Sequence, residues 1–233
     1  EREMITDIFE DTCGTRLTMN YMVPGGVLMD LHPDFQKKVH AFINQFKTKL
    51  PEYDELVTDN IIFQNRTKGI GYLSRESAIS YGCTGPVARA SGVSCDVRKH
   101  FPYAIYDKLD FKEIIDTGCD SWARYKVRMQ EMRQSLHIIE QLIDNIPEGD
   151  FQAKTKAVLK PPKGEFYSKV ETARGELGVY IVSEGATTPY RIKFRSPGFS
   201  NLSALEHMAV GGKIGDFVAV MGSIDLVIPD IDR

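Results

Sequence analysis

The sequence predicts an α+β protein, mainly helical, with a long central helix and a small antiparallel sheet. Three observations predict it. Apolar residues recur at spacings of three and four between residues 119 and 146, the period switches to two after Pro161-Pro162, and the stretch from Gly69 to Pro102 holds too many breakers for a long element. With ~150 residues as an ordinary domain length, 233 residues make one large domain or two small ones. The reading adopted is a single domain over 1–233: helical from 1 to 150, a small antiparallel sheet from about 151 to 196, and a helical and extended tail from 197 to 233.

In chain order, Met4, Ile5, Ile8 and Phe9 give residues 1–12 one apolar helical face, ending near Gly14. Residues 20–26, with Pro24-Gly25-Gly26, form a turn, since proline removes a donor and glycine permits positive φ. Pro33 suits a helix start, and Phe35, Val39, Phe42, Ile43 and Phe46 make the buried stripe of a second helix until Pro51 stops it. From Gly69 to Pro102 short pieces are joined by shaped loops. Trp122, Tyr125, Met129, Met132, Leu136, Ile139, Leu142, Ile143 and Ile146 then define a long helix from about Cys119 to Ile146. Period-two runs at 166–170, 177–182 and 191–194, with Gly185 and Pro189 in the last connection, predict a small sheet or hairpin. Leu202, Leu205, Met208 and Ala209 suggest a short helix, and residues 214–221 another.

Composition excludes several function classes. With 29 Lys+Arg against 32 Asp+Glu, a net charge of −3, 42% hydrophobic and 26% charged residues, the chain is neither collagen-like, disordered nor a disulfide scaffold. Its Lys and Arg residues are spread out and make no basic field, so nucleic acid is not an expected partner. The most apolar stretch, 217–231, is broken by Asp225, Pro229 and Asp230, whereas a membrane span needs ~18 nearly uncharged residues. The start, Glu1-Arg2-Glu3, has neither an initiator methionine nor a signal-peptide core, so the chain is expected to be cut from a longer one or to lack its beginning.

Most chemical motifs fail on inspection. Gly69-Ile70-Gly71 begins a dinucleotide fingerprint whose third glycine falls on Ser74, and Gly211-Gly212-Lys213 lacks the leading glycine of a phosphate loop, His207 standing there. His32, His40, His100, His137 and His207 show no metal-protease spacing, and surface or structural roles are expected of them. Cys13, Cys83, Cys95 and Cys119 form no C-x-x-C pair, which argues against a structural zinc site and favours reduced thiols. Two segments remain. In the tail, Asp225, Asp230 and Asp232 are interleaved with apolar residues that would draw them inward, as a clamp with Arg233 or another arginine, or as a proton path. Residues 84–99 gather Arg89, Arg98 and Lys99 in a loop suited to a rigid interface or the shell of a redox centre, or to arginines that satisfy the loop's own carbonyls.

A set of ordered segments carries a resemblance over essentially the whole chain: Gly14-Thr15-Arg16-Leu17 with Asn20-Tyr21 and Pro24-Gly25-Gly26-Val27; Thr84-Gly85-Pro86 with Arg89-Ala90-Ser91-Gly92-Val93 and Asp96-Val97-Arg98-Lys99; Arg124-Tyr125 with Arg128-Met129 and residues 131–135; Arg174-Gly175-Glu176-Leu177-Gly178; Pro189-Tyr190-Arg191; Pro197-Gly198-Phe199; and Gly222-Ser223-Ile224-Asp225 with Asp232-Arg233. These resemble the D subunit of respiratory NADH:quinone oxidoreductase, complex I, a relative of the large subunit of nickel–iron hydrogenases. The resemblance implies a hydrogenase-large-subunit-like core. It also implies membership of a proton-pumping quinone reductase, with electrons arriving from a terminal iron–sulfur cluster in a small partner subunit. Further implied partners are a C-type peripheral subunit and a quinone-channel membrane subunit. The chain would sit peripherally on the cytoplasmic or matrix face of an energy-transducing membrane. The family's quinone head-group histidine and tyrosine belong to a region that would precede Glu1, so the chain is expected to be the carboxy-terminal part of the subunit.

Two departures from the family pattern shape the expected site. Many members carry a histidine near the terminal cluster where this chain has Thr18, which does not titrate near neutral pH. Hydrogenases hold nickel with two tail thiols; aligned on Asp225, these fall on Val227 and Asp230, which offer no soft ligand. By resemblance, Val227, Asp225, Asp232 and Arg233 are the quinone-cavity or proton-path candidates, and Arg16 and Thr18 lie near the terminal cluster. No catalytic or metal-ligating residue and no cofactor is assigned to this chain; quinone is the expected substrate. The competing expectation is a scaffold that clamps the iron–sulfur subunit to the membrane arm without touching quinone.

Overall fold

The computed structural model describes residues 1–156 and 158–232, in which eleven α-helices and five strands are arranged in two compact units. One unit comprises Glu1–Val57 with Leu136–Leu159, the other Thr58–Ser135 with the described residues from Lys160 onward. The α+β, mainly helical class read from the sequence is what the chain adopts. Among the described residues no helix is long and apolar enough to cross a membrane.

In the first unit, helix α1 (Arg2–Cys13) ends on Gly14 in the left-handed conformation. Its Ile5, Ile8 and Phe9 line, with Phe35, Val39 and Phe42 of α2 (Phe35–Tyr53), an apolar hollow of about 300 Å³ to which Ile139, Leu142 and Ile143 of α7 (Ser121–Ile143) also contribute. Phe42 stacks on Phe46 at 5.2 Å between ring centroids. Pro51 does not end α2. It removes only its own donor, and Asp54 N–H still reaches the Leu50 and Pro51 carbonyls, so the helix runs to Tyr53 and widens into a π-helical turn, Asp54–Thr58. The expected turn at 20–26 is a small hairpin of β1 (Met22–Val23) and β2 (Gly26–Val27), fastened by Val27 N–H to the Phe151 carbonyl at 3.1 Å.

The second unit begins with a helix that periodicity did not predict, α3 (Ile61–Thr67). Its signal is Asn60, whose side chain accepts hydrogen bonds from Ile62 N at 2.9 Å and Phe63 N at 3.3 Å as an N-cap. The breaker-rich stretch yields the short pieces its glycines demand: α4 (Arg75–Ser80), α5 (Gly85–Arg89) and α6 (Val97–His100). Leu73, Ala78, Val87 and Ala88 pack against Ala204, Met208, Val220 and Ile224 as the main core of this unit. Strands β3 (Gly164–Thr172), β4 (Gly175–Ser183) and β5 (Arg191–Arg195) form one antiparallel sheet in that order, so the third run belongs to the sheet.

The tip of the β3–β4 hairpin seats on the start of α5. The Asn201 side chain, 1% exposed on α8 (Pro197–Ser203), accepts from Thr84 N at 3.2 Å and donates to the Arg174 carbonyl at 3.2 Å. The expected short helix near 202–209 is split into α8 and α9 (Leu205–Ala209), with Ser196 and Pro197 supplying the N-cap and first-turn signal for α8. After α10 (Ile214–Ile224) the tail is helical as α11 (Ile228–Asp232), held to α8 by Gly198 N–H donating to Asp230 Oδ2 at 2.9 Å.

Candidate functional site

Helix α7 brings two arginines four residues apart onto one face of the second unit, where i and i+4 side chains are neighbours. The sequence reading gave this helix an apolar stripe and left its arginines outside. Arg124 is instead wholly buried: Nε donates to Ser223 Oγ at 2.9 Å and Nη2 to the Gly71 carbonyl at 2.8 Å. Gly71 permits that approach, since its φ is +66° and a Cβ there would lie 2.9 Å from Arg124 Nη2. Arg128 Nη1 donates to the Arg124 carbonyl at 3.1 Å. Burial pushes both guanidinium pKa values down, Arg124 to about 10, with mutual repulsion as the next cause for Arg124.

Two cavities adjoin Arg128. One, of about 460 Å³, is lined by Phe63, Tyr125, Ala219 and Gly222 together with the polar Thr67, Ser121, Ser223, Arg128 and Asp225. Tyr125 is fixed by edge packing on Phe63 at 4.9 Å, by stacking on Trp122 at 5.5 Å and by a hydroxyl bond with Thr58 at 2.9 Å. The other, of about 450 Å³, is lined by Arg89, Arg98, Arg128, Glu131, Glu171 and Asp225 among others. Arg128 and Asp225 line both.

The loop arginines satisfy carboxylates rather than their own loop's carbonyls. Arg89, 1% exposed, reaches Glu131 at 2.7 Å and Glu171 at 2.8 Å, and Arg98 Nη2 reaches Asp96 at 2.7 Å. Burial works against the Arg89 charge, but the two glutamates outweigh it and hold its pKa above the ordinary value. Burial pushes the Glu131 and Glu171 carboxyls up, against the pull of Arg89. Burial likewise pushes the Cys83 and Cys95 thiols up to about 11, which makes them poor nucleophiles.

Asp96 gives this cluster a pH signature. Burial would raise its carboxyl, but the Arg98 guanidinium outweighs burial and holds it below the usual carboxylate range. A depressed folded-state pKa contributes stability above the unfolded value, ~3.9, that is lost as pH falls through the lower folded value. Asp96→Asn keeps a side-chain cap for Arg98 N–H but removes the ion pair. The denaturation midpoint of the variant is therefore expected to fall less than that of the parent between roughly pH 4 and pH 2. Parallel acid limbs would contradict the assignment.

The residues expected from the sequence are dispersed. In the first unit, Arg16 is held on α1 by Glu3, Asp7 and Glu10 at 2.5 to 2.6 Å, while Thr18 is exposed with φ 53° and its hydroxyl donates to the Leu17 carbonyl. In the second unit, Asp225 caps α10 in the left-handed conformation, and Arg174 from the hairpin tip reaches its side chain at 3.4 Å and its carbonyl at 3.1 Å. Its side chain keeps 43% exposure, so apolar neighbours do not draw it fully inside; the helix end turns it toward the cavities. Val227 is half-buried, its carbonyl accepting from Asp230 N and Ile231 N at the start of α11, and Asp232 is exposed. Arg233 lies outside the described residues. Among the described residues, no three His, Cys, Asp or Glu side chains converge to hold a metal ion. The sequence reading missed Arg124, Arg128, Glu131, Glu171 and Arg174 as site residues; the available signal was a pair of arginines, 124 and 128, one turn apart beside the apolar stripe of a long helix.

Comparison with known proteins adds a consistent set of relatives. The family model described as respiratory-chain NADH dehydrogenase, 49 Kd subunit, matches residues 1–162 and 151–233. The C/D subunit of the NADH-quinone oxidoreductase of Bacteroides fragilis is 54% identical over 233 residues, covering 100% of this chain and 44% of the relative. The D subunit of the NADH-quinone oxidoreductase of Clostridium beijerinckii is 44% identical over 233 residues, with 63% of its length covered. The H 1 subunit of the NAD(P)H-quinone oxidoreductase of Gloeobacter violaceus is 41% identical over 257 residues, with 65% covered. The chain thus spans between 44% and 65% of the length of these relatives.

Proposed function

The chain belongs to the family of the 49 kDa subunit of respiratory-chain NADH dehydrogenase, and on that premise we propose that it helps form the quinone-reduction chamber of a proton-pumping NADH:quinone oxidoreductase. One observation carries the reading: a cavity of about 460 Å³ in which the rings of Phe63 and Tyr125 stand among hydrogen-bonding groups of Thr67, Ser121, Ser223, Arg128 and Asp225, the mixed lining of a small-molecule site. A ring with polar oxygens fits such a lining better than a charged metabolite does. Asp225 lines that cavity, and Val227 and Asp232 follow it in the tail, together with Arg233. In this reading Asp225 braces the chamber or passes protons, Val227, two residues beyond the residues that line the cavity, adds apolar surface to the chamber of the assembled enzyme, and Asp232 and Arg233 serve the same tail.

The core is of the nickel–iron hydrogenase large-subunit type, with Val227 and Asp230 in place of thiols, so quinone and not a metal occupies the hollow. Arg16 and Thr18 face the terminal iron–sulfur cluster, which a small partner subunit holds. The charge of Arg16 is met there by Glu3, Asp7 and Glu10, and Thr18 supplies a hydroxyl that does not titrate near neutral pH. The subunit acts from the cytoplasmic or matrix face of the membrane, beside a C-type peripheral subunit and a quinone-channel membrane subunit.

Val227→Phe in the assembled quinone reductase tests the chamber. The expected result is a KM for short-chain quinone raised about tenfold at an unchanged amount of complex, about 1.4 kcal/mol of lost affinity as the bulkier ring takes space from the chamber. Unchanged quinone kinetics and inhibitor affinity would instead assign this part of the chain a purely scaffolding role.

A further inference from the structure

We propose that the outer edge of β5 is a strand-addition site for an extended segment of a partner subunit, in which acidic residues alternate with apolar ones; the inference rests on the reading above only for the assembled reductase, not for the quinone chamber. It starts from the ladder. Strand β5 pairs with β4 alone, so its other side is an edge. The Val182 carbonyl, which accepts from Tyr190 N at 2.9 Å, faces β5, and alternation turns the backbone groups of Tyr180 and Gly178 the same way. Those of their register partners Lys193 and Arg195 point back at β4, which leaves the N–H and C=O of Ile192 and Phe194 on the open side. No hydrogen bond from elsewhere among the described residues reaches them.

The side chains along this edge sort by face. Alternation places Arg191, Lys193 and Arg195 on one face of the sheet and Ile192 and Phe194 on the other. Arg195 is taken, with Nε 3.7 Å from the Glu176 carboxylate and Nη1 donating to the Glu176 carbonyl at 2.6 Å. Arg191 and Lys193 are exposed and have no ion-pair partner among the described residues. Ile192 and Phe194 are exposed as well, and so is Phe166, which lies in the same cross-strand row as Ile192. Cations on an edge strand can serve simply to repel stray strands, but that guard does not account for the apolar side chains left open beside them.

Charge then selects the occupant. A second copy of the chain, adding its β5 antiparallel to this one about Lys193, would set Lys193 against Lys193 and Arg191 against Arg195, and like charges directly opposite destabilise a strand pair. A strand that carries Asp or Glu opposite Arg191 and Lys193 is attracted instead. The pleat puts its alternate residues on the other face, opposite Ile192 and Phe194, where apolar side chains cover them. Main-chain bonds fix the register of such a complex and the alternating side chains its specificity. Space exists beside the second half of the strand: residues 193–196 border, with Tyr167, Tyr180 and Phe199, a hollow of about 450 Å³, so a side chain opposite Lys193 has room to settle.

The assembled wild-type reductase supplies the first test, which needs no variant to fold. Amide hydrogen exchange at Ile192 and Phe194 is expected to be slower than in an unstructured peptide by about a hundredfold or more. A carbodiimide, which joins an amine to a carboxylate in direct contact, is expected to link Lys193 to an Asp or Glu of another subunit. Exchange at the unprotected rate overturns the proposal, and so does failure to form that link, whether Lys193 joins a second copy, its own subunit or nothing. Variants then separate charge from backbone. Arg191→Glu with Lys193→Glu is expected to lower the amount of this chain retained with its partners by about tenfold or more, and the double change to Gln by less. Ile192→Pro removes an N–H that nothing in the chain uses and is expected to lower retention too. Full retention of the charge-reversed chain overturns the acidic occupant. None of these residues lines the cavity assigned to the chamber, so quinone KM per amount of assembled complex is expected to stay unchanged. Val227→Phe tests the chamber separately, and either reading can fail alone.

Discussion

Arg89→Met is expected to destabilise the second unit by about 3–5 kcal/mol, among the largest single effects available in the chain. The argument is asymmetric. Arg89 neutralises two carboxylates at once, with Glu131 and Glu171 at 2.7 and 2.8 Å, and the side chains of Arg89 and Glu171 are only 2% and 3% exposed. Methionine fills much of the volume but leaves both acids without a counter-charge, and burial already pushes their carboxyls up. The loss should therefore depend on pH in a definite direction. A carboxyl whose folded-state pKa is raised adds stability that is fully present below the unfolded value, ~4.3, and disappears as pH rises through the folded value. Removing Arg89 raises both further. The gap between variant and parent is expected to be widest near neutrality and to close as pH falls toward 4. Denaturation midpoints at three or four pH values measure it, and Glu171→Gln in the variant background should recover part of the loss. A gap independent of pH would mean that lost packing, not stranded charge, sets the cost.

That cluster also marks the limit of what the sequence could tell. Local signals were legible: the left-handed glycine after α1, the period-three-and-four stripe of α7 and the alternation of β3 and β4 each depend on neighbours a few residues away. The α+β class follows from those signals. Arg89 finds its partners 42 and 82 residues along the chain, and Arg124 finds Ser223 at 99, so no window of periodicity contains the reason these arginines are buried. A pattern that sorts residues into apolar and polar faces puts Arg124 outside, because it classifies an arginine before its partners are known. Asn60 and Ser196-Pro197 were readable caps that periodicity passed over, since α3 and α8 are too short to show a repeat. The tail carboxylates were legible as unusual, and the resemblance singled out Asp225. Its pairing with Arg174 belongs to the clamp outcome, but with an arginine in a hairpin tip that only the tertiary fold brings near.

Gly175→Ala tests whether that tip is what holds Asp225 in place, and it is expected to cost about 2–5 kcal/mol from two sources. Gly175 has φ +135°, a region closed to L side chains, which alone costs roughly 1–3 kcal/mol. A Cβ there would also stand 2.5 Å from Thr84 Oγ1 and 2.9 Å from Gly85 N, and the second of these is backbone, which cannot swing aside. Gly211→Ala separates the two sources: its φ is +83° with nothing within 4 Å of the added carbon, so it should show the strain without the collision. If both substitutions lower the denaturation midpoint equally, contact between the hairpin tip and α5 carries no energy. If Gly175→Ala costs distinctly more, the tip is wedged against Thr84, and relief comes by lifting it. Lifting it withdraws Arg174 from Asp225 and its carbonyl from Asn201. The same variant, once assembled with its partner subunits, is then expected to weaken quinone binding while Gly211→Ala does not, because only the first disturbs Asp225, which lines both cavities. A stability loss without any change in quinone affinity would confine Arg174 to holding the tail and leave Asp225 able to keep its place unaided.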